Sequence, residues 1–308
     1  MALGYDRPLY ILAMDHRGTL ERGIFGLTTA PTTDEIARIV QAKHVIYDGI
    51  HAAVDAGVAK DEAGILVDEQ YGAAIAREAV ARGELLAMTV EKSGGSELQF
   101  EYGDAFGSHL DDFNVTFGKV LVRYNPDGDA ALNARQAALL KKLADYLHNS
   151  GRKLLLEVVI PGTSGQLAAV NGDIYRYDTE IRPDLTVRMI EQLQTAEVET
   201  DIWKIEGLDR RADCVRVAAQ ARSGGRDRVG CVVLGRAADL PRVEHWLREA
   251  AGVPGYVGFA IGRTLWWNAI KEYVAGDLDH AGATARIAAS YRGAGETYVA
   301  AVRHNAAG

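Results

Sequence analysis

The sequence predicts one α/β domain in which eight parallel strands alternate with helices and close into a (β/α)8 barrel, the TIM-barrel architecture. Short runs rich in Val, Ile and Leu recur along the chain, as expected for strands that are buried on both faces. Segments with helical periodicity separate these runs, and eight strands are the number that closes a parallel barrel. The length of 308 residues fits a single barrel, because barrels of about 250 residues with insertions form one domain.

The eight strands are predicted, in chain order, at residues 9–14, 64–67, 85–90, 119–122, 153–160, 201–205, 230–234 and 256–261. Helices are predicted at residues 33–56, 69–82, 129–150, 183–197, 208–222 and 240–251, with a last helix in the tail, 281–308. Thr33 and Asp34 are candidate caps of the first of these helices and Gly57 ends it, whereas Gly83 and Gly151 end the next two. The alternative is a doubly wound open sheet. No Gly-x-Gly-x-x-Gly motif follows the first strand, which argues against its dinucleotide-binding form.

Composition excludes several classes of function. The formal net charge is −8, so the chain has no basic footprint for nucleic acid. No stretch is apolar enough to suggest a membrane span, and the N-terminus lacks the apolar region of a signal peptide. The two cysteines, Cys214 and Cys231, lie in apolar surroundings and are expected to be buried reduced thiols. We expect a cytoplasmic enzyme with no nucleic-acid or membrane partner.

The carboxyl ends of the predicted strands carry many charged residues, and this is where barrels place catalytic groups. Lys119 and Arg123 have the same parity on the fourth strand, so they are predicted to face the same side. The other charged candidates at strand ends are Asp15, Asp68, Glu69, Lys92, Glu157, Lys204, Arg236 and Arg263.

Lys204 and Glu157 are the strongest candidates for chemistry. A lysine between Trp203 and Ile205 in a buried strand is costly unless it is paired or neutral. Desolvation and a nearby cation, for which Lys119 is the candidate, lower the pKa of a lysine and free its amine as a nucleophile. Burial should raise the pKa of Glu157 and suit it to moving protons. The alternative is a structural ion pair between Lys204 and Glu157 inside the barrel.

Two Gly-Arg pairs, Gly235-Arg236 and Gly262-Arg263, follow the seventh and eighth strands. Barrels often bind phosphate there, since glycines let backbone N–H groups approach an anion and arginine adds bidentate bonds. The alternative is a pair of surface arginines at helix starts.

The acidic residues at the strand ends have more than one possible role. Asp15 is a candidate for orienting a substrate hydroxyl or holding Lys204, and Asp68 for contacting substrate. Helix or turn capping is the alternative for both. Glu69 shares the ambiguity, and capping is favoured there.

No metal or cofactor is expected. The eight histidines show no metal-ligand spacing, and only His16 lies at a strand end. A zinc-dependent mechanism would need several imidazoles at the mouth of the barrel. No Gly-x-Ser-x-Gly elbow or Cys/His pairing is present.

Several strings of the sequence carry a resemblance to a known family. They include Asp15-His16-Arg17-Gly18, Ile65-Leu66-Val67-Asp68-Glu69-Gln70, Lys119-Val120-Leu121-Val122-Arg123, Asp201-Ile202-Trp203-Lys204-Ile205-Glu206-Gly207 and Gly258-Phe259-Ala260-Ile261-Gly262-Arg263. These strings resemble the C-terminal domain of bacterial kinase–aldolase fusions of myo-inositol catabolism, to which 2-deoxy-5-keto-gluconate-6-phosphate aldolase activity is assigned. The resemblance covers nearly the whole chain and concerns the aldolase half of those fusions, not the kinase half.

The chain resembles the class I tagatose-1,6-bisphosphate aldolases more distantly, at Asp15, Lys119, Glu157, Lys204 and Gly262-Arg263. That resemblance implies a Schiff base on Lys204 and proton transfer by Glu157. The chain departs from the pattern at His16, where Gln is usual, and at Arg236, where smaller residues are common.

Together the resemblances imply a metal-independent aldehyde-lyase of carbohydrate catabolism. It would cleave 2-deoxy-5-keto-gluconate 6-phosphate to dihydroxyacetone phosphate and malonate semialdehyde, and it is expected to form a homo-oligomer. Arg123, Lys92 and Arg236 are equal candidates for the substrate carboxylate. The alternatives are an aldolase for another ketose phosphate, such as tagatose or fructose bisphosphate or sulfofructose phosphate, and a non-catalytic sugar-phosphate sensor.

Overall fold

The computed structural model describes residues 2–306 and confirms the predicted barrel. Its eight parallel strands pair in chain order, and β8 closes the barrel against β1. The strands are β1 (Leu9–Ala13), β2 (Ala63–Val67), β3 (Leu85–Thr89), β4 (Phe117–Arg123), β5 (Lys153–Val159), β6 (Ile202–Glu206), β7 (Gly230–Leu234) and β8 (Tyr256–Ile261).

The helices lie between the strands and after the last one. They are α1 (Gly18–Gly23), α2 (Thr33–Asp55), α3 (Glu69–Ala81), α4 (Phe106–Phe113), α5 (Ala130–Asn149), α6 (Ser164–Ala169), α7 (Ile174–Arg176), α8 (Arg182–Thr195), α9 (Arg211–Ala221), α10 (Leu240–Ala250), α11 (Arg263–Ala275) and α12 (His280–Ala306). A short 3₁₀ turn, Gly103–Ala105, precedes α4, and a π-helical turn, Tyr177–Ile181, precedes α8.

Predicted boundaries are wrong by a few residues at several ends. Thr32, rather than Thr33 or Asp34, caps α2, and its hydroxyl forms a capping box with Glu35. Helix α9 begins at Arg211, three residues after the predicted start at Leu208. Both cysteines are buried free thiols, as predicted.

Two apolar layers form the core. A small cluster fills the inside of the barrel, and a larger one lies between the strands and the surrounding helices. The inner layer takes Phe117 from β4, Leu155 from β5 and Ile202 from β6. Side chains alternate along a strand, so the residues two positions later also point inward. Those residues are Lys119, Glu157 and Lys204, so the polar site lies on top of an apolar barrel floor.

Two local features shape the mouth of the barrel above this floor. After β3 the chain folds back on itself, with an antiparallel bridge between Glu91 and Phe100 and a hydrogen bond from the Lys92 N–H to the Gln99 carbonyl. After β8, Gly262 passes so close to β1 that a Cβ atom would lie 2.5 Å from the Ala13 carbonyl oxygen. Only glycine fits that position without displacing the backbone of β1.

Candidate active site

A cavity of about 360 Å³ opens at the carboxyl end of the barrel. The structure brings nearly all the predicted site residues to its walls: Asp15, Lys92, Lys119, Arg123, Glu157, Lys204, Gly235, Arg236, Gly262 and Arg263. Of the predicted site residues, Asp68 alone is not part of this wall.

Lys204 and Glu157 lie side by side because their strands are in register. Their Cα atoms are paired between β5 and β6, and both side chains point into the barrel. The Lys204 Nζ donates a hydrogen bond of 2.9 Å to Glu157 Oε2, and only 3% of the Lys204 side chain is exposed. The sequence-based pairing of these residues is therefore present as a buried, hydrogen-bonded contact.

Lys119 lies at the centre of three carboxylates that come from three different strand ends. Its Nζ is 2.7 Å from Asp15 Oδ2, 2.7 Å from Glu91 Oε1 and 3.1 Å from Glu157 Oε2. Lys119 and Lys204 therefore contact the same oxygen of Glu157. Burial opposes the charge of Lys119, but its carboxylate neighbours outweigh burial and raise its pKa well above the ordinary value, so it stays protonated.

The predicted rise in the pKa of Glu157 is wrong in direction. Burial alone raises it, but the ammonium groups of Lys119 and Lys204 outweigh burial and lower the pKa. The same two ammonium groups lower the pKa of Asp15 well below its ordinary range, against the effect of burial. Both carboxyl groups are therefore ionised in the free protein. The sequence argument considered the apolar strand around Glu157 and not the two cations that converge on it.

Glu91 is the residue that the sequence analysis missed. Only 10% of its side chain is exposed, Oε1 accepts a hydrogen bond from Lys119, and Oε2 is buried without a partner in the described structure. Burial raises the pKa of Glu91, only partly opposed by Lys119 and Arg17. The signal was available, because Ala87, Thr89 and Glu91 share one parity and the first of them faces the barrel interior.

Arg263 and Gly262 form one end of the cavity, at the start of α11. No side chain caps this helix, and within residues 2–306 the guanidinium of Arg263 donates no hydrogen bond to a protein acceptor. Burial lowers the pKa of Arg263, which means that its charge is poorly compensated in the free protein. A desolvated arginine beside an uncapped helix start is a suitable environment for an anion. Gly235 lines the same end.

Arg236 lines the cavity, but its charge is already neutralised. Its Nη1 donates to Asp178 Oδ1 at 2.8 Å, and its Nε is 2.8 Å from Glu206 Oε1. Asp178 also binds the buried Arg182, which ties the segment after β5 to the end of β7. Two carboxylates on one guanidinium make Arg236 a poor partner for a substrate anion. The sequence could not show this, because Asp178 is distant in the chain.

Arg123 and Lys92 lie at the opposite wall. Arg123 Nη1 donates a 3.0 Å hydrogen bond to the Gly95 carbonyl, and its side chain is exposed at the mouth of the cavity. Lys92 is also exposed and, in the part of the chain that the structure describes, forms no ion pair. As predicted, Lys119 and Arg123 face the same cavity, four residues apart on β4.

The prediction that Asp68 contacts substrate is not supported by its position. Asp68 is fully buried, forms a short ion pair with Lys43, and accepts a hydrogen bond from the Tyr71 N–H as the N-cap of α3. The capping alternative was therefore right for Asp68. It was wrong for Glu69, whose carboxylate binds His109 instead.

His16 lines the cavity as a neutral imidazole. Burial lowers the pKa of His16 to about 4. Asp15 opposes this shift, whereas the positive charges of Arg263, Lys204 and Lys43 add to it. Its ring lies edge-on to Trp266, and its Nδ1 is buried without a hydrogen-bond partner in the described structure.

Among residues 2–306, no group of three or more His, Cys, Asp or Glu side chains is placed to hold a metal ion. No helix in the described part of the chain is both long and apolar enough to cross a membrane.

The fold and the site together define a (β/α)8 barrel with two buried lysines and three carboxyl groups at the carboxyl end of its strands. The chain belongs to the family described as an uncharacterized protein conserved in bacteria (DUF2090), whose model matches residues 5–301. No curated protein matches it significantly in sequence.

Two solved structures share the fold at low sequence identity. Cgl0159 from Corynebacterium glutamicum (Brevibacterium flavum) is 18% identical with a TM-score of 0.57, and the alignment covers 95% of this chain and 88% of that one. Fructose-bisphosphate aldolase from Plasmodium falciparum, solved with TRAP and a small-molecule inhibitor, is 12% identical with a TM-score of 0.60. That alignment covers 97% of this chain and 98% of the aldolase chain. At these identities the likeness shows the shared barrel fold.

Proposed function

We propose that this protein is a Schiff-base aldolase that cleaves 2-deoxy-5-keto-gluconate 6-phosphate to dihydroxyacetone phosphate and malonate semialdehyde. The observation that carries the proposal is the shared contact of Lys119 and Lys204 with Glu157 Oε2 at the floor of the cavity. A reactive lysine amine needs a partner that accepts its proton and a neighbour that disfavours its charge. This arrangement supplies both.

Lys204, rather than Lys119, is the nucleophile in this proposal. Lys119 has three carboxylate partners, which hold its proton, whereas Lys204 has one, Glu157. Glu157 Oε2 is in hydrogen-bond contact with the Lys204 amine and is placed to take its proton.

The reaction follows from these positions. The neutral amine of Lys204 attacks the C5 ketone, and protonated Glu157 returns its proton so that water leaves and an iminium forms. The iminium accepts the electron pair of the C3–C4 bond, malonate semialdehyde departs, and the enamine is protonated and hydrolysed. Lys119 keeps a fixed positive charge beside the carboxylates throughout, which holds Asp15 and Glu157 in place.

The phosphate is assigned to the end of the cavity that contains Arg263. Three features support this position: the start of α11 has no side-chain cap, Arg263 forms no ion pair within residues 2–306, and Gly262 leaves room beside it. Gly235 contributes a second glycine at the same end. Phosphate binding by loops after the seventh and eighth strands is also common in barrels of this kind.

The carboxylate of the substrate is assigned to Arg123, with Lys92 beside it. In a closed eight-stranded barrel, β4 lies opposite β8, so Arg123 and Arg263 are on opposite sides of the cavity with Lys204 between them. A substrate with an anionic group at each end and a ketone between them matches this order. Arg236 is left out because Asp178 and Glu206 already occupy it.

The test is steady-state formation of dihydroxyacetone phosphate from 2-deoxy-5-keto-gluconate 6-phosphate, with a chelator present. We expect turnover by the wild type and its loss in Lys204→Met, while Lys141→Met, a surface variant on α5, keeps full activity. Turnover of fructose or tagatose bisphosphate or of sulfofructose phosphate instead would contradict the substrate. Binding of the ketose phosphate without turnover would contradict the aldolase and favour a sensor.

A further inference from the structure

The unpartnered carboxyl oxygen of Glu91 suggests a task that the proposed mechanism leaves open. Oε1 of Glu91 accepts a hydrogen bond of 2.7 Å from Lys119, whereas Oε2 is buried and has no partner in the described structure; Glu91 is one of the residues that line the cavity. A buried carboxyl oxygen without a partner is costly, and such exceptions are frequent at functional sites. We propose that Glu91 is the proton acceptor for the substrate hydroxyl whose C–C bond breaks; this inference rests on the proposed function.

The backbone around Glu91 is built to hold this position. The Arg17 guanidinium donates to the Glu91 carbonyl at 2.8 Å, and the bridge between Glu91 and Phe100 pairs the segment that follows β3 with its own return. The side chain is thus fixed at both ends, by Arg17 through the backbone and by Lys119 through Oε1. A proton acceptor needs this rigidity, because proton transfer requires contact within about 3 Å.

The placement of the substrate brings the hydroxyl to this side of the cavity. With phosphate at Arg263 and the ketone carbon at Lys204, the remaining carbons extend toward β3 and β4, where Glu91 and Arg123 lie. Glu157 forms ion pairs with both Lys119 and Lys204, and Asp15 forms an ion pair with Lys119. Of the three carboxyl groups around Lys119, Glu91 is the one whose second oxygen is buried without a partner among the described residues, so a substrate hydroxyl would supply its missing hydrogen bond.

In the cleavage step, the proton of the C3 hydroxyl passes to Oε2 of ionised Glu91. The O–H electron pair becomes the second bond of the aldehyde, and the C3–C4 bond breaks. Its electron pair moves into the iminium on Lys204 and gives the enamine. In the reverse direction, the carboxylic acid of Glu91 returns the proton to the aldehyde oxygen as the new C–C bond forms. A pKa raised by burial suits a group that must act in both forms.

The proposal separates two half-reactions. Exchange of the carbon-bound hydrogen of dihydroxyacetone phosphate with D₂O requires only the enamine, and so Lys204 and Glu157. Cleavage and condensation also require the hydroxyl proton to move. We expect Glu91→Gln to lower the rate of cleavage by about 100-fold or more, since general acid–base groups contribute about 10²–10⁴-fold. Its exchange rate should stay within about threefold of the wild type, because the amide oxygen can still accept from Lys119.

Glu78→Gln is the matched control, since it removes an exposed glutamate of α3 that pairs with Arg82 and lies outside the cavity wall. We expect it to leave both rates unchanged. Glu91→Asp should recover part of the cleavage rate, as it restores an acid with shorter reach. Equal losses of exchange and cleavage in Glu91→Gln would mean that Glu91 acts only by positioning Lys119, and would overturn the proposal. Unchanged cleavage would also overturn it. A wild type that shows neither exchange nor cleavage would overturn the proposed function, and this inference with it.

Discussion

Replacing Lys119 by methionine should destabilise the protein strongly, and more at neutral than at acidic pH. Methionine matches the length and apolar volume of the lysine stem but leaves Asp15, Glu91 and Glu157 without the ammonium group that lies within 3.1 Å of all three. Breaking a buried ion pair costs about 3–5 kcal/mol, since the partner charge remains desolvated. We therefore expect the free energy of unfolding at pH 7.5 to fall by about 3–5 kcal/mol.

The pH dependence follows from the direction of the pKa shifts. In the wild type the pKa values of Asp15 and Glu157 are lowered, so their contribution to stability is present above the carboxyl pKa of the unfolded chain and is lost as pH falls. Without Lys119, fewer cations oppose burial, and the pKa values of both groups rise in the folded state. The penalty of the variant is then relieved as the pH falls and the carboxyl groups are protonated. The difference between variant and wild type should shrink from pH 7.5 to pH 5.

Urea unfolding at both pH values measures this difference. With an m-value of about 3 kcal/mol/M for a chain of this size, a loss of about 4 kcal/mol moves the midpoint down by roughly 1.3 M. Lys141→Met, which removes exposed ion pairs with Asp145 and Glu197, is the control and should cost less than about 0.5 kcal/mol. A loss below about 1 kcal/mol for Lys119→Met, or a loss that is independent of pH, would refute the reasoning.

Three further outcomes are expected. Lys43→Met should cost about 3–5 kcal/mol of stability in urea unfolding, because its fully buried ion pair with Asp68 lies outside the cavity wall; a change below about 1 kcal/mol would contradict this. Arg123→Met should raise KM for the cleavage substrate about tenfold while the hydrogen exchange of dihydroxyacetone phosphate is unchanged, with Lys92→Met giving the smaller effect; equal losses of both rates would contradict a role at the carboxylate. Arg263→Met should weaken inhibition by inorganic phosphate about tenfold, and unchanged inhibition would place the phosphate elsewhere.

The fold could be predicted from the sequence because its signal is local and repeated. Each strand is a short apolar run, and helices with glycine after their ends separate the runs. The pairing of Lys204 with Glu157 could also be predicted, since adjacent strands of a barrel put inward residues of similar depth side by side. Boundaries such as the cap of α2 could not, because Thr32 and Thr33 differ only in backbone conformation and in contact with Glu35.

Contacts between distant segments explain most of what the sequence did not show. Whether a charged residue at a strand end can contact substrate depends on whether an opposite charge elsewhere in the protein already forms an ion pair with it. Asp68 is bound by Lys43 from α2, and Arg236 by Asp178 from the segment after β5. The pKa of Glu157 changes direction for the same reason, because two lysines from neighbouring strands converge on one oxygen.

The most direct test of the Schiff-base assignment is reduction with borohydride in the presence of dihydroxyacetone phosphate, followed by peptide mass spectrometry. The account predicts one covalent adduct, on Lys204, that is absent from Lys204→Met and absent without the ketose phosphate. An adduct on Lys119, or none at all in wild-type protein that cleaves its substrate, would contradict it.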